Sequence, residues 1–272
     1  MFDLVEALSY VEQVDSVHGV TQPVVVAVDN NGEEFNVHAK LTDTRNCSAD
    51  ALAREAIAAF LARDLALNIP PPHRVFVSDD FISSMPTLTL RTRFENSLRI
   101  IFGSRTLTGF YSVPTDPALD GLNRQSAADI LAFDLLIGNA DRGGEGAKPN
   151  CMTNGRDFVI FDHEKAFLGT GLMLFGYRSP WLPGALSQRT GPNSHLFINA
   201  LRKLRNKPSF NDFMSRWSKA VTDTRLMEYR QALPPEWCIY PDALDKLFAG
   251  LKGVSDNIDG CLAELNRSVY GE

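Results

Sequence analysis

Asp134 to Phe167 reads DLLIGNADRGGEGAKPNCMTNGRDFVIFDHEKAF. It places Asp141, Asn150 and Asp162 on two irregular segments, separated by a short apolar strand from Phe158 to Phe161. Asp and Asn favour turns for local reasons, so one reading is an acidic surface hairpin. Turn chemistry alone does not explain an ordered set of polar groups flanking a buried strand.

A carboxylate on a loop directly after an apolar helix is suited to take a hydroxyl proton. An amide and a second carboxylate across a buried strand suit a hard divalent cation set against phosphates. Asn139-Ala140-Asp141-Arg142, Lys148-Pro149-Asn150 and Ile160-Phe161-Asp162-His163 resemble, in this order, the catalytic and metal-binding loops of the HipA-like kinases. The resemblance implies that Asp141 is the catalytic base and that Asn150 and Asp162 are magnesium ligands. Arg142 would orient the loop or neutralise phosphate charge, since a guanidinium matches planar oxyanions. His163 reads as a packing residue that orients the loop. Gly143-Gly144-Glu145-Gly146 lengthens the family's spacing between Asp and Asn. The insertion either bulges outward, or lets Asn154 take over, or weakens metal binding.

The resemblance extends towards the N-terminus. Lys40 ends the alternating strand Phe35 to Lys40, which is similar to the Val-Ala-Ile-Lys strand of kinases. Glu55 lies on a helix face with Ala59, Ala62 and Ala66, small enough to approach a sheet. The pair is expected to position ATP, against the alternative of two separate surface charges. Ser16 to Thr21, with Gly19 and the Thr21 hydroxyl, resembles a short nucleotide-covering loop. Phe102-Gly103-Ser104 is a candidate hinge against the adenine, with Gly103 at its centre.

Pro23–Asp29 and Glu34–Leu41, joined by Asn30-Asn31-Gly32, predict a hairpin. A helix follows from Ser48 or Asp50 to Leu67, stopped by Pro70-Pro71-Pro72, with a strand at Arg74–Val77. Alternation from Leu88 to Ile101 predicts another strand. Beyond it, helical spacing recurs at Ser126–Ile137, Phe210–Leu226 and Leu244–Leu265, and Gly169–Asn193 reads as a long loop. The expected class is α+β, a two-lobed kinase-like fold with a strand-rich N-lobe and a mostly helical C-lobe. The chain would be one kinase domain, its lobes dividing near residues 104 and 105.

A formal charge of −6 argues against a protein that coats nucleic acid, and no direct nucleic-acid binding is expected. The acidic start MFDLVEALSYVEQVDS is unlike a secretory or transit peptide, and no apolar run approaches the ~20 residues of a membrane helix. A cytoplasmic protein is expected, with no membrane contact. Cys47, Cys151, Cys238 and Cys261 lack metal-type spacing and read as reduced thiols. The resemblance thus implies ATP and Mg2+ as cofactors and a hydroxyl acceptor, preferably Ser or Thr of a protein. It also implies, for some members, an antitoxin-type partner. The alternatives are a small-molecule or lipid kinase and a pseudokinase, a nucleotide-binding scaffold that keeps the fold with little chemistry.

Overall fold

A computed structural model of the chain describes residues 2–14, 22–43, 47–143, 148–167 and 178–271. The chain divides into two units. The first comprises Met1–Ile57, Pro70–Thr108 and Tyr229–Ile239; the second comprises Ala58–Ile69, Gly109–Glu228 and Tyr240–Glu272. The class is α+β, strand-rich towards the N-terminus and helical towards the C-terminus.

In the first unit, β1 (Leu4–Gln13), β2 (Val24–Asn30), β3 (Glu33–Lys40), β4 (Pro72–Phe76) and β5 (Ile100–Arg105) close into a barrel of order β1-β2-β3-β5-β4. The β2–β3 hairpin turns on Asn31 and Gly32, whose φ values of 55° and 94° match the twist of paired strands. Asp29 Oδ1 accepts the Gly32 N–H at 2.8 Å and fixes that turn. Val5, Val26, Val37, Val75 and Ile101 fill the interior, as the alternation of strand side chains requires. Helix α1 (Ala49–Asp64), which runs from the first unit into the second, buries its small-residue face, including Ala56, Ala59 and Ala62.

The expected strand at Leu88–Ile101 is instead helix α3 (Leu88–Glu95), preceded by the short α2 (Asp79–Ser83) and followed by β5. Alternation and helical spacing coincide in LTLRTRF, and capping decides between them. The Thr87 hydroxyl accepts the Leu90 N–H at 3.2 Å, while Leu90 and Phe94, four apart, are buried. Leu88, which a half-buried strand would cover along with Leu90, is 76% exposed. The Phe94 ring meets Phe81 of α2 edge-on at 5.2 Å.

His73 of β4 points into the barrel beside Phe35, ring centroids 4.9 Å apart, and is only 6% exposed. Neither of its ring nitrogens has a hydrogen-bond partner among the described residues. Burial lowers its pKa; Asp3 and Glu33 pull it up and Arg105 pushes it down. Burial likewise lowers the pKa of His38. An unfolded imidazole gains its proton below about pH 6.5, whereas the folded chain holds these rings neutral. Stability is therefore fully present above that pH and lost as pH falls below it. Urea unfolding at pH 7.5 and 5.5 is expected to show this loss. In His73→Leu the loss should be smaller, by up to about 1.4 kcal/mol per pH unit. An equal loss in wild type and variant would contradict it.

In the second unit, β6 (Tyr111–Ser112), β7 (Cys151–Thr153) and β8 (Phe158–Ile160) form an antiparallel sheet. Helix α4 (Arg124–Ile137), buried from Ala127 to Ile137, ends at Gly138 in the left-handed conformation. The helices α5 (Ile198–Lys203), α6 (Asn211–Ala220), α7 (Asp223–Ala232), α8 (Pro241–Asp256) and α9 (Ile258–Tyr270) follow, α7 running across the unit boundary.

Two expected long helices are each broken. Phe210–Leu226 divides at Val221-Thr222, where the Thr222 hydroxyl accepts the Arg225 N–H at 3.2 Å and starts α7. Leu244–Leu265 divides at Asn257, whose side-chain amide donates back to the Gly253 carbonyl at 2.8 Å. Both breaks sit at residues whose side chains compete with helical backbone bonding, while the apolar periodicity runs on regardless. Among the described residues, no helix is long and apolar enough to cross a membrane. The four cysteines are free thiols.

Candidate active site

The loops around Asp141, Asn150 and Asp162 are built on one buried carboxylate. Asp134 lies in the last turns of α4 with no exposed surface. Asn139 Nδ2 donates to its Oδ1 at 2.8 Å, and Arg142 Nε to its Oδ2 at 2.5 Å. His195 Nε2 lies 3.0 Å from Oδ2. Burial alone would lift the Asp134 carboxyl; the Arg142 guanidinium and the His195 bond outweigh it and hold the group well below the carboxylate range. Burial in turn pushes the His195 imidazole down, against the pull of Asp134. The backbone N–H of Phe197 donates to His195 Nδ1 at 3.2 Å, so the proton sits on Nε2 and faces Asp134.

Arg142 is fully buried and distributes its donors between loops. Nη1 donates to the carbonyls of Asn150 and Phe161, and Nη2 approaches His163 Nε2 at 2.9 Å. A guanidinium has no acceptor, so His163 Nε2 receives that hydrogen and its ring proton sits on Nδ1. The His163 ring also meets Phe133 edge-on, centroids 5.8 Å apart. Arg142 thus pins the segment after α4 to both strands of the β7–β8 hairpin at its open end, from inside. Of the two roles expected for it, loop orientation matches this position. Beneath it, burial pushes the Cys151 thiol up to about 12, against the opposing effect of Arg142.

The β7–β8 register brings the two expected metal ligands together. Cys151 pairs with Ile160, and the Phe161 N–H donates to the Asn150 carbonyl at 3.2 Å. Asn150 therefore lies opposite Phe161, one residue from Asp162. Both ligand candidates have left-handed backbones, Asn150 with φ 43° and Asp162 with φ 61°. Such strain is found where a surrounding network over-determines the chain, commonly at functional sites. Asn150 Nδ2 donates to the Asp141 carbonyl at 3.0 Å and approaches Asp141 Oδ2 at 3.4 Å. Its Oδ1 accepts no hydrogen bond among the described residues. Asn154 lies at the other end of the hairpin, where its Oδ1 accepts the N–H groups of Arg156 and Asp157 at 2.9 and 2.8 Å. That bonding commits Asn154 to the turn.

Asp141 is half-buried and does not pair with Arg142; Lys165 Nζ meets its Oδ1 at 2.9 Å. Gly143 is described and buried, whereas the rest of the glycine-rich insertion lies outside the described residues.

The first unit holds the other expected pair. Lys40 Nζ and Glu55 Oε2 are 2.9 Å apart, with Lys40 9% and Glu55 3% exposed. Arg54, the neighbour that could have claimed Glu55 on the helix surface, pairs with Asp50 at 2.5 Å. Double-mutant analysis should find Lys40→Met and Glu55→Leu strongly coupled. Each single change would leave a buried charge and cost about 3–5 kcal/mol, and the double change much less than their sum. Additive losses in chemical denaturation would refute the coupling. Gly103 lies inside β5, opposite Ala39 and His73; a Cβ there would come within 2.6 Å of Val75 Cγ2. Gly19 and Thr21 lie outside the described residues.

The family model for HipA-like kinases matches residues 11–172, more than half of the chain. The chain belongs to the HipA-like kinase family. It is also similar to the crystal structure of the Helicobacter pylori proinflammatory kinase CtkA, at 12% identity over 97% of this chain and 98% of that one, with a TM-score of 0.49. No curated protein sequence matches. This HipA-like kinase is accordingly a phosphotransferase. The candidate site also includes residues to which the motifs assign no role: Asp134, Asn139, Lys165 and His195. An aspartate inside the apolar run Leu131–Ile137 was the available signal for Asp134. Nothing in the sequence around His195 marks it.

Proposed function

We propose that this kinase transfers the γ-phosphoryl group of ATP to a hydroxyl, preferably of a protein Ser or Thr. Asp141 takes the hydroxyl proton as the acceptor oxygen attacks the γ-phosphorus, and ADP leaves. Arg142 acts as a positioning residue, tying the Asp141 loop to Asn150 and Phe161. Lys40, held by Glu55, is assigned to the α- and β-phosphates. One domain holds both sets, the part up to residue 104 carrying the nucleotide-positioning pair and the remainder the transfer loops.

The single observation behind this reading is the orientation of Asn150. Its NH2 faces Asp141, which leaves Oδ1, a hard donor, without a partner among the described residues beside the Asp162 segment. An amide oxygen and a carboxylate suit Mg2+, which prefers oxygen ligands and keeps several waters. Bound there, Mg2+ would neutralise phosphate charge.

The test is incubation of wild type and Asp162→Ala with γ-labelled ATP and Mg2+, transfer being followed into protein and into small molecules. Wild type is expected to label protein on Ser or Thr, and the variant to lose at least about a hundredfold in rate. Undiminished transfer by Asp162→Ala would sink the assignment. Label found only in a small molecule would sink the protein acceptor.

A further inference from the structure

A cavity of about 260 Å³ opens in the second unit beside the C-terminal end of α4. Ile137 and Gly138 line it, four and three residues before Asp141, and so does Phe167, whose N–H donates to the Ile137 carbonyl at 2.9 Å. Trp181 and Leu247 supply further apolar wall. Arg178, Arg189 and Lys246 also line it, with no Asp or Glu among the described lining residues. In a chain of net charge −6, three cations without a carboxylate among the described lining residues form a local inversion of charge.

The wall is held in place. A Cβ on Gly253 of α8 would come within 2.5 Å of Trp181 Cη2, and one on Gly260 of α9 within 3.1 Å of Trp181 Cβ. The two glycines therefore seat the indole against α8 and α9, and any larger residue at Gly253 must displace it. Arg189 is likewise anchored, Nη1 donating to the Leu135 carbonyl at 2.8 Å. Arg178 and Lys246 are exposed and make no ion pair with a described residue.

Apolar floor, fixed aromatic wall and cationic surroundings match one ligand chemistry. We propose that the cavity binds an acidic segment of the protein acceptor, an apolar side chain entering beside Trp181 and flanking carboxylates facing Arg178, Arg189 and Lys246. This rests on the reading of the chain as a protein kinase and adds a substrate class to it: hydroxyls set in acidic, apolar-anchored sequence. A volume near 260 Å³ accepts about one large side chain, so the charged neighbours remain outside at the cations.

Binding can be measured without nucleotide, so the outcome does not depend on transfer. The probe is a fluorescein-labelled peptide, Glu-Asp-Leu-Ser-Asp-Glu with blocked ends, and its control carries Gln and Asn in place of the acids. Anisotropy at low salt, where charge pairing is least screened, is expected to give the acidic peptide at least a tenfold lower Kd. Charge reversal at the exposed positions, Arg178→Glu or Lys246→Glu, should weaken it tenfold or more. Gly253→Val should do the same by driving the indole into the cavity, thermal unfolding confirming that each variant is folded. Should Gly253→Val not fold, the two surface variants decide. Equal affinity for the two peptides, wild-type affinity in both reversals, or displacement of the acidic peptide by Mg-ATP would overturn the proposal. If acidic peptide binds as expected but no hydroxyl is ever phosphorylated, the pocket stands and the kinase-substrate reading fails.

Discussion

Exchanging Arg142 for methionine is expected to remove about 3–5 kcal/mol of folding stability, a large share of what a domain of this size has. The cause is what remains behind. Asp134 has no exposed surface, and its carboxyl is ionised because Arg142 lies against it. Without the guanidinium the buried carboxylate keeps Asn139 and His195 as partners but no fixed cation, and the carbonyls of Asn150 and Phe161 lose a donor. Arg142→Lys should recover only part of the loss, because an ammonium cannot fork across Asp134 while reaching two carbonyls. Adding Asp134→Leu to Arg142→Met should restore part of the stability, since the orphaned charge is removed with its partner. Denaturant unfolding reads all four proteins. A cost below about 1 kcal/mol for Arg142→Met would mean that water reaches this network, contrary to its burial.

The second large effect is kinetic. Asp141→Asn should lower the transfer rate by a factor of about 10²–10⁴ while ATP affinity stays within about twofold. Asparagine keeps the shape of the side chain but cannot take a proton. Its half-buried ion pair with Lys165 contributes little, so unfolding should shift by less than about 1 kcal/mol. The separation of rate from affinity and stability is the signature of a base, and single-turnover kinetics with labelled ATP would show it. Transfer within tenfold of wild type would remove Asp141 from that role.

How much the sequence disclosed depended on whether local and long-range signals agreed. The β2–β3 hairpin was legible because turn chemistry at Asn31-Gly32 and the valine-rich run after Pro23 point the same way. Strand β1 was not. Its register shifts between Ala7 and Ser9 and again between Tyr10 and Glu12, so no steady alternation survives, and Leu4, Leu8 and Val11 face outward. Helix α3 was misread because its heptapeptide satisfies both periods, and the breaks at Thr222 and Asn257 because periodicity is blind to capping. At the candidate site, the residues with chemistry of their own, Asp141, Asn150 and Asp162, stood out in the primary structure. In the network that holds them, Asp134 is masked by the apolar helix around it, and His195 by its distance in sequence from the carboxylate it meets.

That separation has a consequence for biosynthesis. His195, 61 residues beyond Asp134, completes the shell of the buried carboxylate, and the Leu196 N–H bonds the Arg142 carbonyl at 3.0 Å. Both lie past residue 172, where the family signature stops. A nascent chain that has just emerged with every signature motif therefore still lacks the imidazole that closes the shell of Asp134 at its candidate site. Trimming the protein to the matched residues would leave the same gap, so the segment beyond them decides when the candidate site can form.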